Sequence, residues 1–122
     1  MIRIGAWPWG DKATWDCKPE ELSAVKEAWQ TLLGNGINFI DTAQVYGSGE
    51  SEKISDELIK DMPRDSFIMQ TKYWVLPADP TNVAHPIDAP LLKPKQSLEN
   101  MNLDYVTSTW CTGTSTRSPS PP

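Results

Sequence analysis

Short apolar runs alternate with longer amphipathic stretches along this chain. Ile2 to Trp7 (IRIGAW) is an apolar run closed by Pro8 and Gly10, the pattern of a buried strand ending in a turn. The stretch PEELSAVKEAWQTLLGNG then places Leu22, Val25, Trp29, Leu32 and Leu33 at spacings of three, four and one, which gather on one helical face. Pro19 suits a first helical position, and Glu20 and Glu21 suit the positive end of the helix dipole. Gly34 and Gly36 supply the stop. INFIDTA, from Ile37, reads as a second apolar strand, and a Gly-rich loop, YGSGES, leads into SEKISDELIKDM, where Ile54, Leu58 and Met62 recur every four residues. SFIMQTKYWV is a third strand, rich in β-formers. Pro77, Pro80, Pro86 and Pro90 make residues 75 to 90 a loop. LLKPKQSLENMNL predicts a third helix, whose regular part Pro94 confines to the residues after it or kinks. LDYV, from Leu103 to Val106, begins a fourth strand. The order β-α-β-α-β-α-β with short connections predicts right-handed parallel crossovers, in a doubly wound sheet or in part of a (β/α)8 barrel. Periodicity does not choose between the two.

Composition narrows the function. A chain of 122 residues holds one small domain and one core, which excludes a two-domain reading. Eleven basic against sixteen acidic residues give a net charge of -5 without a basic patch, so neither nucleic acid nor an anionic membrane surface is an expected partner. Cys17 and Cys111 lack metal-ligand or CxxC spacing, which argues against a disulfide framework or a zinc site and for a reducing compartment. MIRIGAWPWG has no secretory pattern, and nowhere do eighteen apolar residues follow one another. A soluble, cytoplasmic protein is expected.

Three side chains carry candidate chemistry. Asp41 ends the second strand, Tyr46 lies in the loop after it, and Lys72 falls towards the carboxyl end of the third strand. Parallel sheets place their chemistry at that edge. A phenol with its ordinary pKa of about 10 exchanges protons poorly near neutrality, and an adjacent ammonium favours the phenolate. Lys72 supplies such a charge, and Asp41 fixes Lys72 by an ion pair. Singly, a strand-end Asp caps a turn, a loop Tyr packs and a Lys is solvated. Their convergence on one edge is what points to a proton donor for a substrate oxygen.

The segment GINFIDTAQVYGSGESEKISDELI resembles the signature of the aldo-keto reductase superfamily, with its glycine, strand, Asp-Thr-Ala step, Tyr-Gly and acidic helix start. IMQTKYW resembles the third strand of that family with its lysine, and SLENMNLDYV the run into its fourth strand. The resemblance covers residues 1–106 and implies the N-terminal portion of a (β/α)8 TIM barrel, truncated in the fourth strand. It also implies NADPH or NADH as cofactor and a small aldehyde or ketone as substrate, reduced to an alcohol. Tyr46 matches the proton donor and Lys72 and Asp41 its activating pair, with Asp41 also the partner of the nicotinamide ribose. Gly5, Ala6 and Trp7 match the first loop, whose backbone approaches the nicotinamide. Trp7 and Trp74 are candidates to line the carbonyl pocket.

The family's fourth catalytic group, a histidine ending the fourth strand in a Leu-Val-His run, has no counterpart here. His85, the one histidine, falls in the Pro-rich loop. After Val106 the composition breaks: twelve of the sixteen residues from Thr107 to Pro122 are Thr, Ser or Pro. Composition alone reads residues 107–122 as a disordered tail. A second reading is an out-of-frame one. Trp110 is encoded only by TGG and Cys111 by TGT or TGC, so reading one base earlier forces NTG, GTG and then TAC or CAC. With permitted codons, TSTWCTGT becomes Asp-Leu-Tyr-Leu-Val-His-Gly-His, which restores the strand and its histidine. The expected function is therefore an NAD(P)H-dependent reductase in a truncated, impaired form. The alternative is an inactive fragment or a regulatory binding protein, with self-association through open sheet edges.

Overall fold

The computed structural model describes residues 1–74, 83–84 and 87–112. His85, most of the Pro-rich loop and residues 113–122 lie outside the described residues. In chain order the elements are β1 (Ile4–Gly5), α1 (Leu22–Gly34), β2 (Phe39–Asp41), α2 (Glu50–Ile59), β3 (Ile68–Trp74), α3 (Ala89–Asn100) and β4 (Ser108–Thr112). Single 3₁₀ turns at Pro19–Glu21, Tyr46–Gly49 and Arg64–Ser66 precede α1, α2 and β3.

All strand pairs are parallel, and the sheet order is β1-β2-β3-β4. Each strand therefore lies beside its neighbour in sequence. A doubly wound sheet reverses its order at a switch point, whereas a barrel wall adds strands one after another. The observed order is that of the barrel wall, which decides what periodicity left open.

Strand alternation sorts the side chains. Ile40 and Met69, opposite each other in register, are fully buried beneath the helices. They join Ala6, Trp9, Trp29, Leu58, Ile59, Phe67 and Met101 in one cluster, with Val25, Leu32, Leu33, Ile54 and Met62 packed around it. Apart from Leu22, the helical stripes expected from spacing are thus the faces that pack on the core. Trp29 anchors α1, and full burial of such a ring is worth about 4–6 kcal/mol at ~25 cal/mol per Å². Its Nε1 is buried without a hydrogen-bond partner among the described residues, which offsets about 1–3 kcal/mol of that. α1 ends at Gly34, and two residues on Gly36, whose φ of +78° lies in the left-handed region, donates its N–H to the Leu33 carbonyl at 3.1 Å.

Two elements depart from the sequence expectation. α3 begins at Ala89 and runs through Pro94. Pro90 occupies the first turn, where a missing N–H costs nothing, and the Leu91 and Leu92 amides both reach the Asp88 carbonyl, at 2.8 and 3.0 Å, so the helix is nucleated before Pro94 is reached. The fourth strand lies at Ser108–Thr112, later than the LDYV stretch expected to begin it. Leu103 to Val106 is otherwise engaged: the Leu103 amide caps α3 on the Leu98 carbonyl at 3.0 Å, and the Tyr105 carbonyl accepts from Arg64 at 3.0 Å. The Arg64 guanidinium lies against the Phe67 ring at 4.9 Å and the Tyr105 ring at 3.9 Å, which fastens this connection beneath β3. The ladder to β3 then starts where the Thr107 amide donates to the Met69 carbonyl at 2.8 Å.

Candidate active site

β2 and β3 run side by side, with Asp41 opposite Gln70, and Lys72 follows two residues further along the same face. The Lys72 ammonium donates to Asp41 Oδ1 and, at 2.9 Å, to the Thr42 carbonyl. Gln70 Nε2 donates to the same carboxylate oxygen at 3.2 Å, and Arg3 Nε lies 3.7 Å from Oδ2. Side-chain exposures of 18% and 20% for Lys72 and Asp41 put this pair below the rim, where solvent screens it less than a surface bridge. Lys72 Nζ is 5.2 Å from the centroid of the Tyr46 ring. Trp7 stacks on Tyr46 with centroids 6.0 Å apart and planes at 21°. Asp41, Tyr46, Lys72 and Trp7 therefore meet at one edge, and the Ala6 amide, which donates to the Asp41 carbonyl at 2.9 Å, ties the first loop to it. Arg3 and Gln70 were not expected at the site. Their two-residue offsets from Gly5 and Lys72 were the signal, because alternate strand residues share a face.

The first two loops interlock through glycines. Gly47 has a φ of +57°, and a Cβ there would stand 2.7 Å from the Gly10 carbonyl oxygen. Gly10 has a φ of +76°, and a Cβ there would meet the Glu50 Cβ at 2.5 Å. Gly47→Ala is expected to destabilise the protein by about 1–3 kcal/mol through combined strain and clash, read as a lower urea midpoint; an unchanged midpoint would show that the loops separate freely. An open depression of about 420 Å³ lies between the loops, lined by residues including Asp11, Val45 and Gly47, the last two flanking Tyr46.

Beneath this edge, α2 is fastened to the strands by buried polar groups. Ser51 Oγ donates to the Ala6 carbonyl at 2.7 Å, so its contact with Thr42 Oγ1 at 2.8 Å is accepted from the threonine. Glu52 is fully buried, and its two oxygens accept from Thr71 Oγ1 at 2.7 Å and Asn100 Nδ2 at 2.8 Å. Ala6, Thr42 and Thr71 directly adjoin Trp7, Asp41 and Lys72 in the chain, and α2 follows Tyr46 by one turn. Ser51 and Glu52 thus fasten the chain next to Trp7, Asp41 and Lys72.

Asp11 organises the first loop. Its Oδ1 accepts the Ala13 and Thr14 amides, both at 2.9 Å, and its Oδ2 accepts the Trp7 indole N–H at 3.0 Å. The Thr14 amide foremost, with Ala13 and the indole, holds this carboxyl below its ordinary value of 3.8. A lowered folded-state pKa means that the contribution is complete above the unfolded value and is lost as pH falls through the folded one. Tryptophan emission is therefore expected to change below about pH 4, with Asp11→Asn removing that transition. An identical acid transition in the variant would assign it to other groups. The motif DKAT, an aspartate followed by amides two and three residues on, was its sequence signal.

A sequence model of the Aldo/keto reductase family matches residues 1–111. Over 72 residues the chain is 40% identical to the aldo-keto reductase YhdN of Bacillus subtilis, covering 57% of this chain and 21% of that protein. Over 83 residues it is 29% identical to the chloroplastic pyridoxal reductase of Arabidopsis thaliana, covering 61% of this chain and 23% of that protein. Its fold superposes on an aldo-keto reductase from Klebsiella pneumoniae solved with NADPH, at a TM-score of 0.66 and 20% identity, covering 88% of this chain and 33% of that one. The chain thus spans about a quarter of the curated relatives' length and a third of the solved structure's. With sequential parallel strands, an Asp-Lys-Tyr edge and a family match over nearly its whole length, the chain belongs to the aldo/keto reductase family.

Proposed function

We propose that this edge is the proton-donating part of an NAD(P)H-dependent carbonyl reductase site. The observation that carries the reading is the Lys72 ammonium, fixed by Asp41 and the Thr42 carbonyl, beside the Tyr46 ring. Positive charge held there stabilises the negative charge that develops on the phenol oxygen as Tyr46 gives its proton to a substrate carbonyl oxygen. Asp41 keeps the ammonium from turning away, and Gln70 keeps Asp41 in place.

The residues present fit a nicotinamide dinucleotide. A Cβ built on Gly5 meets nothing within 4 Å, so a flat group has access to the backbone of the first loop. Gly5, Ala6 and Trp7 would hold the ring and Asp41 the adjoining ribose, Asp41 Oδ2 having, among the described residues, the 3.7 Å contact to Arg3. When bound, the reduced nicotinamide supplies the hydride that the carbonyl carbon accepts. Following NADPH and NADH oxidation by the 122-residue chain with aromatic and aliphatic aldehydes tests the reading. Turnover abolished by Tyr46→Phe supports it, and turnover equal in both chains sinks it.

A second reading is a non-catalytic binding chain. It is favoured by the sheet itself, since among the described residues β1 pairs only with β2 and β4 only with β3, leaving an open edge at each end. Sedimentation of self-associated species that do not oxidise the cofactor would favour it. Residues 107–122 are assigned to an out-of-frame reading on the Trp110–Cys111 codons, and sequencing transcripts across codons 104 to 115 is expected to reveal the alternative frame. A single open frame with no further barrel coding would remove that assignment.

A further inference from the structure

Trp15 is an aromatic residue at this edge for which proton transfer has no use. It sits in a loop closed on itself: the Cys17 amide donates to the Asp11 carbonyl at 3.0 Å, and the Gly10 amide reaches Cys17 Sγ at 3.3 Å. There its ring meets Trp7 at 6.0 Å with planes at 83°, while Trp7 lies nearly parallel to Tyr46. The two indoles make a right-angled corner beside the phenol. Trp7 is 48% and Trp15 52% exposed, so a large apolar π surface faces water at the site rather than the core. The Trp7 N–H is already given to Asp11, which leaves that ring no hydrogen to offer a ligand. What remains is a surface for a flat, uncharged ring, met face-on by one indole and edge-on by the other.

Resting on the reductase reading, we propose that Trp15 is a specificity-determining residue that selects carbonyl compounds bearing a planar aromatic ring. Asp11 is a positioning residue that acts through Trp7. Aromatic contacts of this geometry favour an aromatic over a saturated ring of equal size by about tenfold.

The test reads binding without turnover. Indole N–H resonances of the ¹⁵N-labelled 122-residue chain, assigned with Trp7→Phe and Trp15→Phe, are followed during titration with benzyl alcohol and with cyclohexylmethanol. Wild type is expected to bind benzyl alcohol about tenfold more tightly, with the Trp15 and Trp7 signals shifting together. Trp15→Leu is expected to bring the two affinities within about twofold of each other while cyclohexylmethanol binding stays unchanged. Asp11→Ala is expected to lower the preference in part, and Asp11→Asn, which keeps an acceptor oxygen, to restore it. Equal binding of both alcohols by wild type, or an undiminished preference in Trp15→Leu, overturns the proposal. A ring preference in a wild-type chain that turns over none of the aldehydes refutes the reductase reading and not this one. Turnover without ring preference does the reverse.

Discussion

Tyr46→Phe is expected to lower carbonyl reduction by about 10²–10⁴-fold with little change in KM. The substitution removes one oxygen. Phe keeps the stack on Trp7 and the ring contact with Lys72, so the edge keeps its shape and loses only the group that yields a proton. Tyr46 is half-buried in a turn outside the core cluster, and the folded state should therefore tolerate the change. The measurement is the rate of NADPH oxidation at saturating aldehyde, with circular dichroism confirming an unchanged fold. A rate within threefold of wild type would transfer the proton to some other donor and remove the role given to Lys72.

Glu52→Ala is expected to cost about 4 kcal/mol of stability, because a buried donor on Thr71 and a part-buried one on Asn100 lose their acceptor at once, at about 1–3 kcal/mol for the buried one, and a cavity is left. Against a total of about 5–15 kcal/mol for a domain, that is a large fraction. Denaturant unfolding measures it, and a midpoint within experimental error of wild type would mean that the fastening beneath the site is dispensable. Glu52→Gln is expected to recover most of the loss. An amide still offers its oxygen to Thr71, and Asn100 can turn its own oxygen towards the new N–H₂.

Much of this architecture was legible in the residues, for reasons that differ by element. The stripes on α1 and α2 are apolar at helical spacing because those faces meet the core, so pattern and packing report one fact. Asp41, Tyr46 and Lys72 could be placed on one edge because parallel crossovers put every strand's carboxyl end on the same side. Ser51 and Glu52 could not be found that way. A periodicity of apolar residues counts both as solvent-facing, and what buries them is the pairing of each polar atom with a strand or helix that is remote in sequence. Asp11 and Trp15 sit in a loop, which has no period to read. The fourth strand was misplaced for a related reason: Tyr105 and Val106 look like strand, yet the carbonyl of one is taken by Arg64, and the Ser/Thr-rich residues after them fill the ladder because Thr is itself β-branched.

The sequential order of the strands also sets how the molecule can be assembled in time. Each strand pairs with the one made just before it, across a single helix, so no pairing waits for a distant segment and the contact order stays low for a parallel sheet. Asp41 and Lys72 belong to the second and third strands, and Trp7 follows the first. As the chain leaves the ribosome, the edge that holds them can close before the fourth strand is synthesised. Asp41, Lys72 and Trp7 are then gathered early, and the fourth strand extends the wall beside an edge already in place.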